Sequence, residues 1–298
     1  MATNKPSLVQ ANGISLCVQR FLPDHNAGVA PLILIRGLGT QMIQWPSAFI
    51  EYFTKAGLEV ITFDNRDVGE SQKLDAAGIP DIMGLLEDQQ AGAAFPVPYG
   101  IGDMADDVIG LMDALAIDKA NIFGMSLGGM VAQHLAFTHG ARMEKVVCVM
   151  STSGDPELPM PGVSELAPPD DAEGEAALID YLTQSLAEHS SPSFPTPEPQ
   201  RRAMATKIIS RNYHPAGVIR QMAAAITDGS RVERLKTIRV PFLVIHGLAD
   251  TLIEPVCGES LVAHVPGAIW RPVEGMGHDI GPQLELEIGP DILAFLGL

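Results

Sequence analysis

The sequence predicts an α/β fold, a largely parallel sheet covered by helices and interrupted once by a mostly helical insertion. Three observations carry this reading. Short runs rich in Val, Ile and Leu recur along the chain, as strands covered on both faces do. Segments of helical length separate them, the alternation that builds parallel sheets. The rhythm stops between about Thr152 and Thr237 and resumes at Val240. Strands on both sides of such a break belong to one sheet, so the break is an excursion from a single domain. The expected boundaries are 1–151 for the first part of the core, 152–237 for a helical cap and 238–298 for the second part.

Taken in order, Pro31 to Ile35 and Val60 to Phe63 are the first continuous apolar runs, with a helix expected over Ser47 to Ala56 between them. A second helix is expected over Asp103 to Leu115. Asp103 is its N-cap candidate, and Met104, Val108, Leu111, Met112 and Leu115 follow helical spacing. The run Ala120 to Phe123 leads into a helical pattern from Gly128 to Thr138, and Lys145 to Met150 closes this half. Residues 155–199 hold 9 of the 23 prolines, which denies them regular places in a sheet. Two helices are expected inside the excursion, over Glu173 to Glu188 and Gln200 to Ile226. Pro241 to His246 and Ala268 to Pro272 then complete the strands.

The 298 residues carry a formal charge of −17, and its distribution is uneven. Residues 146–200 contain no Lys or Arg and carry −10, whereas 201–239 carry +7. A chain this acidic repels polyphosphate and anionic membrane surfaces, so nucleic acid is an unsuitable partner. The acidic and basic stretches fall in the expected cap, where they are expected to attract each other beside the active-site mouth as a salt-sensitive network. Three cysteines, Cys17, Cys148 and Cys257, without C-x-x-C spacing suggest neither a disulfide scaffold nor a zinc site. No metal or cofactor is expected. The beginning of the chain has no apolar core of a signal peptide, and its apolar runs fall far short of the roughly 20 residues that span a bilayer. A soluble cytoplasmic protein is expected, with no oligomeric state indicated.

The sharpest local signal is Gly124-Met125-Ser126-Leu127-Gly128-Gly129, directly after a strand-like run and directly before a helix. Small residues around the serine permit a strained turn that projects its hydroxyl outward. A serine hydroxyl needs a base and an acid that orients the base. His278, in the glycine-flexed segment Glu274-Gly275-Met276-Gly277-His278-Asp279, follows the last strand-like run and is the best base candidate of eight histidines. Asp250, just after the Phe242 to Ile245 run, is the favoured acid, because catalytic groups converge at the carboxyl edge of such a sheet. Asp155 is the reserve, and Asp279 lies too close to His278 in sequence to orient it easily. For the oxyanion, the backbone N–H of Leu127 and that of Leu38, in Arg36-Gly37-Leu38-Gly39, are the expected donors. Trp45 and Met125 are expected substrate contacts, with Met42 nearby.

These motifs make the chain resemble α/β-hydrolase fold enzymes over nearly its whole length, with an inserted cap. The segment Asp64-Asn65-Arg66-Asp67-Val68-Gly69-Glu70-Ser71 is similar to the D-x-R-G-x-G-x-S segment of many members. Asp67 replaces the usual first glycine, as in the branch of aclacinomycin methylesterase-like proteins, and Arg36 stands where many members have His. The resemblance implies hydrolysis but leaves the reaction open. Ser126 argues against epoxide hydrolases and haloalkane dehalogenases, which use Asp at the elbow; a cofactor-free haloperoxidase would use the same triad. The expected activity is that of a serine carboxylic-ester hydrolase acting on a small to medium apolar ester. The alternatives are a C–C bond hydrolase or peptidase with the same triad, and a non-catalytic small-molecule receptor.

Overall fold

The computed structural model describes residues 5–90, 96–162 and 174–298. Eight strands form one sheet: β1 (Ser7–Ala11), β2 (Ile14–Phe21), β3 (Leu32–Ile35), β4 (Val60–Phe63), β5 (Ala120–Met125), β6 (Met143–Val149), β7 (Phe242–Gly247) and β8 (Ile269–Val273). Their spatial order is β1-β2-β4-β3-β5-β6-β7-β8. The strands from β4 to β8 in this order run parallel, and only the β1–β2 and β2–β4 pairings are antiparallel. The six expected strands all occur, with ends shifted by at most two residues. Strand β3 is buried at every position, as are β4, β5 and β7, which explains why they read as unbroken apolar runs.

The first hairpin is an addition to the sequence reading. Asn12 and Gly13 join β1 to β2 with φ of 47° and 76°, and Ala11 pairs with Ile14. An Asn-Gly pair adopts two positive φ values cheaply and matches the twist of the strands it connects.

The helices are α1 (Ser47–Lys55), α2 (Ile82–Gln90), α3 (Ile101–Ala114), α4 (Leu127–Thr138), α5 (Glu175–Glu188), α6 (Glu198–Asn212), α7 (Pro215–Asp228), α8 (Val232–Leu235), α9 (Pro255–His264) and α10 (Leu284–Leu296). On one face of the sheet α3 and α4 pack on Ile33, Ile122 and Val146. On the other, α1 and α10 pack on Leu34, Phe123 and Val147. Helix α3 begins before the expected cap: Asp103 lies in its first turn and accepts the Gly100 amide at 2.7 Å.

Between β6 and β7 the regular elements among the described residues are all helices, α5 to α8. The single helix expected from Gln200 to Ile226 is two, α6 and α7, divided at Tyr213 and His214. Pro215 explains the break, since it disfavours the helical conformation at the residue before it. Helix α7 lies so close to the loop after β4 that a Cβ at Gly217 would sit 2.1 Å from the Asp67 carbonyl oxygen.

The expected attraction between the two halves of the insertion is seen at one pair, and four of the ten acids of the acidic half, Glu165, Asp170, Asp171 and Glu173, lie outside the described residues. Among the described residues one ion pair joins them, Arg202 with Asp180 at 2.6 Å, and both side chains are exposed. The other strong basic contacts of this stretch turn inward: Arg211 meets Asp64 at 2.6 Å, Arg220 meets Asp67 at 2.8 Å, and Arg231 pairs with Asp228 while donating to Gln133 at 2.8 Å. Charge summed along a segment carries no information about which helix face bears it. No helix among the described residues is long and apolar enough to cross a membrane.

Candidate active site

The carboxyl edge of the sheet gathers the candidate groups. Ser126 follows β5, Asp250 follows β7, His278 follows β8, and the Gly37–Gly39 turn follows β3. Ser126 stands between strand and helix at φ 55° and ψ −122°, a conformation that costs a non-glycine residue about 1–3 kcal/mol. Its neighbours hold it there. The Ser126 amide donates to Val149 O at 2.9 Å, and its carbonyl accepts Gly129 N at 2.8 Å and Ser151 Oγ at 2.9 Å. The flanking glycines answer to space: a Cβ at Gly124 would lie 2.1 Å from Gly128 O, and one at Gly128 would lie 2.3 Å from Ile35 O. Side chains at either position would push the elbow away from the sheet.

His278 Nε2 lies 3.0 Å from Ser126 Oγ, and its Nδ1 lies 2.7 Å from Asp250 Oδ2. An ionised carboxylate only accepts, so Nδ1 carries the proton toward Asp250 and the Nε2 lone pair faces the serine hydroxyl. The other Asp250 oxygen accepts the amides of Leu252 and Ile253 at 2.9 and 3.0 Å. Burial pushes this carboxyl up, but His246, His278 and the Ile253 amide outweigh it and hold it well below the usual carboxylate range.

The insertion supports His278 as well. The His278 amide donates to His189 O at 2.6 Å, Ser191 Oγ accepts the Gly277 amide at 2.9 Å, and Asp279 Oδ1 accepts the Ser191 amide at 2.9 Å. Asp279 is thus engaged with Ser191 rather than with the imidazole. Asp155 accepts the Glu157 amide within a local turn.

The amides of Leu38 and Leu127 have no acceptor among the described residues. Gly37 abuts the serine, with a Cβ there only 3.1 Å from Ser126 Cβ. A residue that sequence reasoning missed fixes this turn: Gln221 of α7, fully buried, accepts the Gly39 amide at 2.9 Å and donates to Arg66 O at 2.8 Å. Gly39 has φ of 63°, and a Cβ there would meet Val218 of the same helix at 2.8 Å. A glutamine in a helix carries no local signal of such a task.

Ser126 opens on a cavity of about 90 Å³ whose wall includes Leu38, Leu127, Met130, Thr152, Met222 and Ile253. Trp45 and Met125 are not on that wall. Trp45 stacks on Phe49 at 5.7 Å and meets Phe123 edge-on, and both it and Met125 belong to the core under α1. The departure at Asp67 is also explained. It holds φ of 68° while its carboxylate accepts Arg220 Nε at 2.9 Å, Arg220 Nη2 at 2.8 Å and the Leu74 amide at 2.7 Å. Burial raises the Asp67 carboxyl, yet these bonds outweigh it and leave it below its ordinary value. No group of His, Cys, Asp and Glu among the described residues could hold a metal ion.

Comparison with known proteins agrees with this architecture. The chain is 25% identical over 272 residues to the rhodomycin D methylesterase of Streptomyces peucetius, covering 84% of this chain and 85% of that one. It is also 25% identical over 273 residues to that of Streptomyces sp. strain C5, with the same coverage. Among solved structures, the enol-lactonase from Burkholderia xenovorans LB400 superposes with a TM-score of 0.73 at 24% identity, over 98% of this chain and 100% of that one. With residues 30–281 matching the family model of the alpha/beta hydrolase fold, the chain belongs to that family.

Proposed function

We propose that the protein is a serine carboxylic-ester hydrolase acting through an acyl-enzyme, with Ser126 as nucleophile, His278 as base and Asp250 as the acid that orients it. The observation that carries the reading is the unbroken relay from Ser126 Oγ through His278 to Asp250, 3.0 Å and 2.7 Å long. Ser126 Oγ attacks the ester carbonyl carbon while His278 Nε2 takes its proton. The carbonyl oxygen becomes an oxyanion that the Leu38 and Leu127 amides accommodate, each donor worth about 3 kcal/mol in the transition state. His278 returns the proton to the departing alkoxide, the alcohol leaves, and water repeats the sequence on the acyl-enzyme. Asp250 fixes the imidazole tautomer and stabilises the imidazolium.

The apolar cavity beside Ser126 supports a short apolar acyl or alcohol group. The methylesterase activity named for the Streptomyces relatives supports ester cleavage. The helical segment 152–237 serves in this reading as the cap over the site. Ser126→Ala is expected to abolish hydrolysis of short p-nitrophenyl esters with the melting temperature retained, and an organophosphonate is expected to add once, on Ser126. Near-wild-type turnover by Ser126→Ala would refute the reading.

A further inference from the structure

Four arginines in the described part of the chain are less than a tenth exposed: Arg36 at 7%, Arg66 at 6%, Arg220 at 1% and Arg231 at 0%. Three are paired with carboxylates, Arg66 with Asp107 at 2.6 Å, Arg220 with Asp67 at 2.8 Å and Arg231 with Asp228. Arg36 is the exception. Its Nε makes a long contact to Thr40 Oγ1 at 3.4 Å, and its guanidinium lies 4.7 Å over the Trp45 ring. Among the described residues no carboxylate lies within 4.0 Å of it and no acceptor takes its two terminal nitrogens. Burial lowers its pKa to about 10, so the group stays charged at neutral pH.

An unpaired buried charge is costly, typically by several kcal/mol. Arg36 also faces space. It lines a cavity of about 440 Å³ between the core and the insertion, together with Gln44, Ser47, Gln200, Arg201, Asp279 and Glu285. The volume falls within the range of small-molecule sites. Two acidic groups share the wall: Asp279, engaged by Ser191 and with its carboxyl pushed up by burial, makes no ion pair with Arg36 but is near enough to favour its charged form, while one Glu285 oxygen is buried with no partner. The cavity shares no lining residue with the apolar one at Ser126, yet Arg36 immediately precedes the Gly37–Gly39 turn that abuts the serine. Parallel guanidinium N–H groups match a carboxylate in shape as well as charge.

We propose that this cavity is a carboxylate-binding site in which the unpaired Arg36 guanidinium receives an organic carboxylate, with Arg201 and the polar wall beside it. The carboxylate belongs either to the ester substrate itself or to a separate small acid, and two arms separate these sources. In the first, glutarate is titrated calorimetrically at constant ionic strength into wild type, Arg36→Met and Arg36→Lys. Saturable binding is expected in wild type, weakened at least tenfold in Arg36→Met, with the lysine variant between them because it keeps the charge and loses the fork. Equal affinity in Arg36→Met and wild type, or no saturable binding in wild type, would overturn the proposal. A melting temperature of Arg36→Met close to that of wild type is expected, since only the long Thr40 contact, the stacking on Trp45 and the distant charge of Asp279 are affected; a loss as large as that of a paired arginine would make Arg36 structural and overturn it too.

The second arm rests on the ester-hydrolase reading and compares monomethyl with dimethyl glutarate. A tenfold or greater fall in the monoester-to-diester ratio of kcat/KM in Arg36→Met places the substrate's own carboxylate at Arg36. An unchanged ratio, with glutarate binding lost, supports the site and assigns it to a separate acid. Failure of wild type to cleave either ester counts against the hydrolase reading, while the glutarate titration still decides whether the carboxylate site exists.

Discussion

Replacing Arg220 by Met tests what holds the insertion on the core. Arg220 is 1% exposed and gives two bonds to Asp67, at 2.9 and 2.8 Å, one to Asp75 at 3.0 Å and one to Gly78 O at 3.0 Å. Asp75 is mostly in water and is satisfied without it. Asp67 is fully buried, so Arg220→Met strands its charge, at a cost of about 3–5 kcal/mol. At roughly 2 °C per kcal/mol for a chain of this size, the melting temperature should fall by about 6–10 °C. The second substitution makes the test specific. Asp67→Gly removes the stranded carboxylate and suits the φ of 68° that Asp67 now holds under strain. Arg220→Met/Asp67→Gly is therefore expected to recover at least about 2 kcal/mol of the loss, a coupling that the double-mutant cycle reads directly. Thermal or urea melts of the four proteins give the cycle. Additivity within about 0.5 kcal/mol would refute the claim that Asp67 and Arg220 act as one buried unit.

Two further outcomes follow from the site and its surroundings. Gln221→Leu orphans the Gly39 amide and the Arg66 carbonyl and frees the turn that presents Leu38; steady-state ester hydrolysis should show kcat reduced by about tenfold or more with KM changed far less, whereas a proportional change in both would make Gln221 merely structural. Burial raises the Asp228 carboxyl, but His134 and Arg231 more than offset this and bring it to about 2, below its unfolded value of 3.8. A depressed carboxyl stabilises the fold above its unfolded pKa, and that contribution, roughly 2 kcal/mol, is lost as pH falls from about 4 toward 2. The stability difference between wild type and Asp228→Asn should shrink over that window, and a pH-independent difference would contradict the assignment.

Much of the sheet was legible because its central strands are buried on both faces and therefore read as unbroken apolar runs. Ser126, Asp250 and His278 were legible for a related reason: each sits in a short glycine-containing segment just beyond such a run, and the structure brings their side chains within hydrogen-bond reach. Two signals were present and unused. Asn12-Gly13 is a hairpin turn written in two residues, and Pro215 marks where one expected helix becomes two. A third lay in Asp67, since a non-glycine at a position that wants glycine asks what holds it, and the basic stretch that follows contains the answer in Arg220. Gln221, His189 and Ser191 had no such signal. Their partners Gly39, His278 and Gly277 lie 182, 89 and 86 residues away, and nothing local distinguishes a residue that caps a distant amide from one that faces water.

Those long-range contacts bear on what the insertion is. Its helix α7 accepts the amide of the turn that carries Leu38, and the segment after α5 accepts the amides of Gly277 and His278. Both flanks of Ser126 are therefore braced from residues between β6 and β7 rather than from the sheet alone. Moving α7 off the core would break the Arg220–Asp67 pair and the Gln221 bonds together, and moving α6 would break the Arg211–Asp64 pair, leaving charged and polar groups unpaired in apolar surroundings. The sheet sets the positions of Ser126, Asp250 and His278 along one edge, and the insertion fixes beside them the Gly37–Gly39 turn and the segment that carries His278.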